Sequence, residues 1–127
     1  MTSVEVPYSV ACVLPSLVVL VITNEIAHDV SRAESSSGIA FVTAGDRGLI
    51  RVNERESGFF ADVEALLERL VPLDVAGRER LLTLLLGAGT EQVPFAAGQL
   101  CLGRWQRILL FGFREDIAPE WTLTLIG

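Results

Sequence analysis

Apolar residues recur along the chain in two different rhythms, and the switches between them mark out its elements. Val4 to Val13 and Leu17 to Ile22 are rich in valine and leucine and are separated by Pro15-Ser16. They predict two largely buried strands with a tight connection. Asn24 is placed to cap a short helix over Glu25 to Arg32, with Glu25 in its first turn and Arg32 in its last. After the loop Ser35-Ser36-Ser37-Gly38, the β-rich runs Ile39 to Thr43 and Leu49 to Val52 flank Ala44 to Gly48 and predict a hairpin. Phe59, Phe60, Val63, Leu66, Leu67 and Leu70 then return at helical spacing and form one face of an amphipathic helix. Ser57 is its expected cap, Glu54 and Glu56 lie near its positive end, Arg69 lies near its negative end, and Pro72 stops it. A further helix is expected from Val75 to Leu86, capped by Asp74 and ended by Gly87. Its stretch Leu81 to Leu86 is apolar nearly all round, which calls for cover on most sides, including from a neighbouring subunit. Strands follow at Glu91 to Phe95, Gln99 to Leu102, Gln106 to Phe113 and Trp121 to Ile126. Strand runs with two or three helices between them predict an α+β fold.

The length of 127 residues fits a single domain over residues 1–127, and an apolar content of 50% is enough for a sizeable core. All ten basic residues are arginine, and against sixteen carboxylates they leave a net charge of −6. That balance argues against a sequence-independent grip on nucleic acid. The apolar run Val10 to Ile22 is broken by Pro15 and Ser16 and is shorter than the roughly 20 residues that span a bilayer. Glu5 precedes it and no convincing cleavage site follows, so a cytoplasmic location with no membrane partner is the expectation. Cys12 and Cys101 each sit in an apolar run and in no metal-knuckle or dithiol spacing; two buried free thiols are expected.

The only histidine, His28, excludes a multi-histidine metal site within one chain, and with Cys12 and Cys101 it has no zinc spacing. Asp29 beside it points about 100° away on a helix, so the two do not form an acid and base couple. A surface or half-buried structural histidine is the simpler reading. Gly87-Ala88-Gly89-Thr90 follows a helix instead of opening one, so helix termination explains it better than a phosphate loop, although a backbone nest can still hold an anion. The polar cluster Arg51, Asn53, Glu54, Arg55 and Glu56 lies between a strand and the amphipathic helix. It is either a solvated turn or a set of side chains aimed into a cleft.

Gly98-Gln-Leu-Cys-Leu-Gly-Arg-Trp-Gln-Arg-Ile108 resembles the YjbQ-type family pattern of glycine, a short strand, Leu-Gly-Thr-Trp-Gln and an apolar strand. Leu20-Val-Ile-Thr-Asn-Glu-Ile26 is similar to the family's strand ending in Thr-Asp-Glu-Ile, Val52-Asn53-Glu54 to its Ile-Asn-Glu, and Asp62 to Pro72 to its helix closing in Leu-Val-Pro. The resemblance covers nearly the whole chain. It implies a small two-sheet β-sandwich with two or three helices, assembled as a homotrimer around a threefold axis, and an associated secondary thiamine-phosphate synthase activity.

The chain departs from that pattern where the chemistry is expected. The family's His-Thr-Ser/Thr-Ala segment is replaced by Ala44-Gly45-Asp46-Arg47-Gly48. A second family histidine falls near Glu79 or Arg80, an acidic position falls near Gly112, and the threonine before the tryptophan is Arg104. Asn53, Glu54, Trp105 and Gln106 match residue by residue. By resemblance, Glu54 and Asn53 are the candidate catalytic residues, and Arg47, Arg80, Arg104, Trp105 and Gln106 the candidate ligand-binding ones. Two functions follow. One is a non-catalytic trimeric scaffold or binder of a small phosphorylated ligand. The other is a synthase-like enzyme joining a pyrimidine diphosphate to a thiazole phosphate, with magnesium held near Glu54 and no zinc.

Overall fold

The computed structural model describes residues 9–45, 48–87, 89–113 and 120–127. In chain order the elements are β1 (Ser9–Leu14), β2 (Leu17–Val21), α1 (Thr23–Ser31), β3 (Gly38–Ala44), β4 (Gly48–Glu54), α2 (Ser57–Leu70), α3 (Arg78–Leu86), β5 (Thr90–Ala96), β6 (Gln99–Leu100), β7 (Gln106–Gly112) and β8 (Trp121–Ile126). They build two four-stranded antiparallel sheets, ordered β1-β2-β7-β4 and β6-β5-β3-β8. This is the α+β sandwich that the sequence implies.

Burial on two faces or on one distinguishes the strands of the two sheets. The first sheet is covered on both faces, so β2 is buried at every position. Its inner face sends Val18, Leu20, Ile50, Ile108 and Leu110 against Ala40, Val42, Val93 and Phe95 of the second sheet. Its outer face sends Leu17, Val19, Leu109 and Phe111 against Phe60 and Leu67 of α2, Val71 just after it, and Leu82 of α3. Phe60 meets Phe111 edge-on, with ring centroids 5.9 Å apart. Among the described residues no helix lies over the outer face of the second sheet, and burial in β3 accordingly alternates, with Ala40, Val42 and Ala44 buried and Ile39 exposed.

Several boundaries differ from the sequence expectation, each for a local reason. The runs Ile39 to Thr43 and Leu49 to Val52 do not form a hairpin. β3 pairs with β5 and β8, whereas β4 pairs with β7 in the other sheet. The Gly45 N–H donates to the Glu120 carbonyl at 2.8 Å, which extends the pairing with β8 up to the point where the chain crosses between sheets. β1 is an edge strand carrying a bulge between Val10 and Cys12, and Val13 is exposed, so only β2 of the first two strands is fully buried. Residues 4–8 of that expected strand lie outside the described residues. Pro15-Ser16 is the tight turn expected, and Glu64 of α2 clamps it by accepting from Ser16 N at 2.8 Å and Ser16 Oγ at 3.0 Å.

The helix starts also moved. α1 grows directly out of β2, with Ile22 at its N-cap, so Asn24 is already inside the helix; at this start Thr23 Oγ1 accepts from the Ile108 N–H at 2.9 Å. α2 is capped by Glu56 instead of Ser57: the carboxylate accepts from the N–H groups of Gly58 and Phe59, each at 2.9 Å. α3 begins at Arg78, not Val75, since Pro72 to Val75 closes as a turn and Gly77, with φ of 71°, is the N-cap in place of Asp74. Leu82 is covered, but the outward leucines are not, for Leu84 is 79% and Leu85 64% exposed. Cys12 is half-buried, but Cys101 is exposed, contrary to expectation. β6 ends at Leu100, and the next residue is tied only through its backbone N–H to the Pro94 carbonyl.

Candidate functional site

The register of β4 against β7 decides which polar residues meet. Asn53 stands opposite Arg107 and Glu54 opposite Gln106, at the end of the sheet where β4 leads into α2. The turn before β7 brings Trp105 to the same end. Glu54, Arg55, Glu56, Trp105 and Arg107 line a cleft of about 280 Å³ there. Two segments distant in the chain, both singled out in the sequence, thus share one site.

Within it the side chains divide into those spent on structure and those left to face a ligand. Asn53 Oδ1 accepts from the Glu54 N–H at 2.8 Å, which holds the strand end. Gln106 closes its own turn: its side-chain Oε1 accepts from the Gly103 N–H at 2.7 Å while its backbone N–H donates to the Gly103 carbonyl at 3.0 Å. Glu56 is taken up by the α2 cap. Trp105 is 62% exposed, and the Arg104 guanidinium carbon lies 4.9 Å from its ring centroid, a cation–π contact that stiffens the indole. Glu54 is exposed in the cleft, so its carboxylate faces solvent and any ligand.

The other candidates fall elsewhere. Arg80 lines a separate hollow of about 480 Å³ with Ala76, Gly77, Leu81 and Leu84, so one chain does not unite it with Glu54. Arg47 lies outside the described residues. Arg55, a member of the polar cluster read in the sequence as a solvated turn or a cleft lining, lines the cleft, and so does Arg107, which was not among the sequence candidates. The signal for Arg107 was its position next to Trp105-Gln106, one strand residue further on. His28 is exposed on α1, where its carbonyl accepts from Ser31 Oγ at 2.7 Å. Among the described residues, no group of three or more His, Cys, Asp or Glu stands close enough together to hold a metal ion.

Two buried charged residues were unexpected. Glu25, read as a helix-start carboxylate, is only 2% exposed, and its Oε2 has no partner. Burial pushes its carboxyl above the usual range, and a hydrogen bond from its own backbone N–H opposes that only in part. Arg78 is also buried, with Nε donating to the Val71 carbonyl at 2.8 Å, which joins the end of α2 to the start of α3.

The family model for UPF0047 protein YjbQ-like matches residues 16–127. The chain belongs to the YjbQ/UPF0047 family. A UPF0047 protein of Archaeoglobus fulgidus is 35% identical over 100 residues, which cover 70% of this chain and 79% of that protein. A UPF0047 protein of Methanothermobacter thermautotrophicus is 37% identical over 68 residues, 46% of this chain and 47% of that one. Among solved structures, a YjbQ-like protein of unknown function from Sulfolobus solfataricus superposes with a TM-score of 0.77 at 19% identity, covering 95% of this chain and 94% of its own. A YjbQ/UPF0047 protein of Clostridium acetobutylicum gives 0.75 at 21% identity, covering 95% and 100%. These structures establish the YjbQ fold. None of the described helices is long and apolar enough to cross a membrane.

Proposed function

We propose that this YjbQ-family protein binds a small phosphorylated ligand as a homotrimer and does so without acid–base catalysis. The cleft carries the reading: Glu54, Arg55 and Arg107 give it charge of both signs, and Trp105 gives it one open aromatic wall. Pockets built of a planar apolar surface with a few converging polar groups orient small ligands. Imidazole is the side chain whose ordinary titration range spans neutral pH, and the single histidine of this chain stands on α1, not in the cleft.

The trimer is supported by the outward face of α3. Leu81, Leu84 and Leu85 are all exposed there, although the helix is held to the body of the chain at both ends. Exposed apolar patches of this kind mark contact surfaces, and a second copy of the chain is the partner proposed for it. A neighbour seated on α3 also places new groups beside Arg80.

The competing reading is a synthase-like enzyme, favoured by the meeting of Asn53 and Glu54 with Trp105 and Gln106 at one end of β4 and β7. In that case Glu54 is the carboxylate placed to take magnesium carried on a diphosphate. Purified protein is to be given the pyrimidine diphosphate, the thiazole phosphate and magnesium, beside a histidine-containing relative. No thiamine phosphate, together with a saturable shift of the Trp105 indole resonance on adding the thiazole phosphate alone, is the expected result. Turnover that disappears in Glu54→Ala would replace binding with catalysis.

A further inference from the structure

Arg107 is half-buried beside the cleft and is held through one nitrogen of its guanidinium, which leaves the opposite edge idle. Its backbone is fixed opposite Asn53 by the β4–β7 pairing. Its Nη1 donates to the Gln106 carbonyl at 2.8 Å and to the Arg104 carbonyl at 3.3 Å. Those carbonyls belong to the turn that Gln106 closes onto Gly103, so the anchor is itself rigid. Among the described residues these are the only hydrogen bonds of the guanidinium.

Nη1 is the nitrogen on the same side as Cδ. Nε and Nη2 together form the opposite, side-on edge, whose two parallel N–H groups match the spacing of two oxygens on a carboxylate or phosphate. Among the described residues that edge has no partner. Of the two carboxylates lining the cleft, Glu56 is committed to the α2 cap, and neither forms an ion pair with Arg107. Arg55 lines the same cleft. A donor pair fixed in advance loses little conformational freedom on binding.

We propose that the Nε/Nη2 edge of Arg107 is an oxyanion receptor, taking the carboxylate or phosphate group of a small molecule whose remaining part lies along Trp105. The assignment rests on the reading of this cleft as a ligand site, and it adds the residue and the chemical group that site recognises.

The test uses the intact protein with phenyl phosphate and benzoate as probes, followed by nuclear magnetic resonance. Two signals are read: the Nε–H of Arg107, identified by its loss in Arg107→Lys, and the indole N–H of Trp105, distinguished from Trp121 by Trp105→Phe. Both signals are expected to move together and saturably with at least one probe, and the probe that saturates at lower concentration identifies the preferred oxyanion. Arg107→Lys, which keeps the charge but loses the side-on pair, is expected to weaken binding about tenfold. A Trp105 shift with an unmoved Arg107 Nε–H would overturn the receptor and leave the cleft as a ligand site. Absence of any saturable shift in either signal, with both probes, would overturn the receptor and the ligand site together.

Discussion

Arg51 reaches from β4 to the far end of α3 and closes it: Nη2 donates to the carbonyls of Leu86 and Gly87, each at 3.1 Å. Nη1 is held meanwhile by the Ile50 carbonyl at 2.7 Å. A cation at a helix C-terminus satisfies carbonyls that have no partner within the helix and complements its dipole. Gly89, at φ of 77°, passes so close that a Cβ there would collide with the Arg51 guanidinium. Arg51→Ala is therefore expected to destabilise the protein by about 1–3 kcal/mol in urea unfolding. Amide exchange should accelerate in the last turn of α3 before it does so in β7. A uniform acceleration across the molecule would show that Arg51 is not a local clamp.

Glu56 offers a second local test, since one carboxylate takes up both first-turn donors, Gly58 N–H and Phe59 N–H. Glu56→Ala leaves both without it and should cost about 1 kcal/mol, within the range measured for lost N-caps. Glu56→Gln keeps an acceptor oxygen and should recover part of the loss. Thermal unfolding of the two variants beside the parent decides it; equal stability of all three would mean that solvent caps the helix as well as Glu56 does.

The elements these arginines and caps secure were legible in the sequence to different degrees. The continuous run Leu17–Val21 reports burial on two faces, whereas Ile39 to Val42 is just as continuously apolar and yet only its Ala40 and Val42 are buried, because only one face of its sheet meets the core. The apparent hairpin around Ala44 to Gly48 failed because two strand runs joined by a short turn carry no mark of which sheet each joins. That is settled by Gly45 pairing with Glu120 and by β4 pairing with β7, contacts distant in the chain. The expected caps failed because each helix start depends on where the preceding backbone leaves off: α1 begins at once after β2, which puts Asn24 inside it, and the Pro72 to Val75 turn moves the start of α3 beyond Asp74. At the site, Glu54 and Trp105 were visible as separate motifs, but their union is a matter of strand register. Arg107 looked like an ordinary strand residue, because the carbonyls that orient it come from a turn.

Leu84 and Leu85 permit a direct test of assembly. Leu84→Glu combined with Leu85→Glu places two carboxylates on a face that the single chain leaves open, so the fold of the subunit should persist while a trimer should not. Light scattering after size exclusion is expected to give three chains for the parent and one for the double variant, with matching far-ultraviolet circular dichroism. A parent that elutes as one chain at all concentrations removes the trimer proposal. A trimer that survives both substitutions moves its interface away from α3.

Glu25 makes stability depend on pH in a direction opposite to that of most carboxylates. Burial raises its pKa in the folded chain above the ordinary value of 4.5, so the folded state holds this proton more tightly than the unfolded one. As pH rises past 4.5, the unfolded chain releases the proton first, and this group's contribution to stability falls until pH has passed the raised value. Above that point the loss is constant, and below the ordinary value it vanishes. Glu25→Gln replaces the acid with a neutral side chain of similar shape at a position whose Oε2 lacks any partner. It should stabilise the protein near neutral pH by on the order of 1–3 kcal/mol, the scale of one unsatisfied buried polar group. The advantage should shrink as pH is lowered and disappear once both states of the parent are protonated. Urea unfolding of parent and variant between about pH 4 and 8 measures that difference directly. A difference that stays level across the range would locate the effect in packing and not in the charge of Glu25.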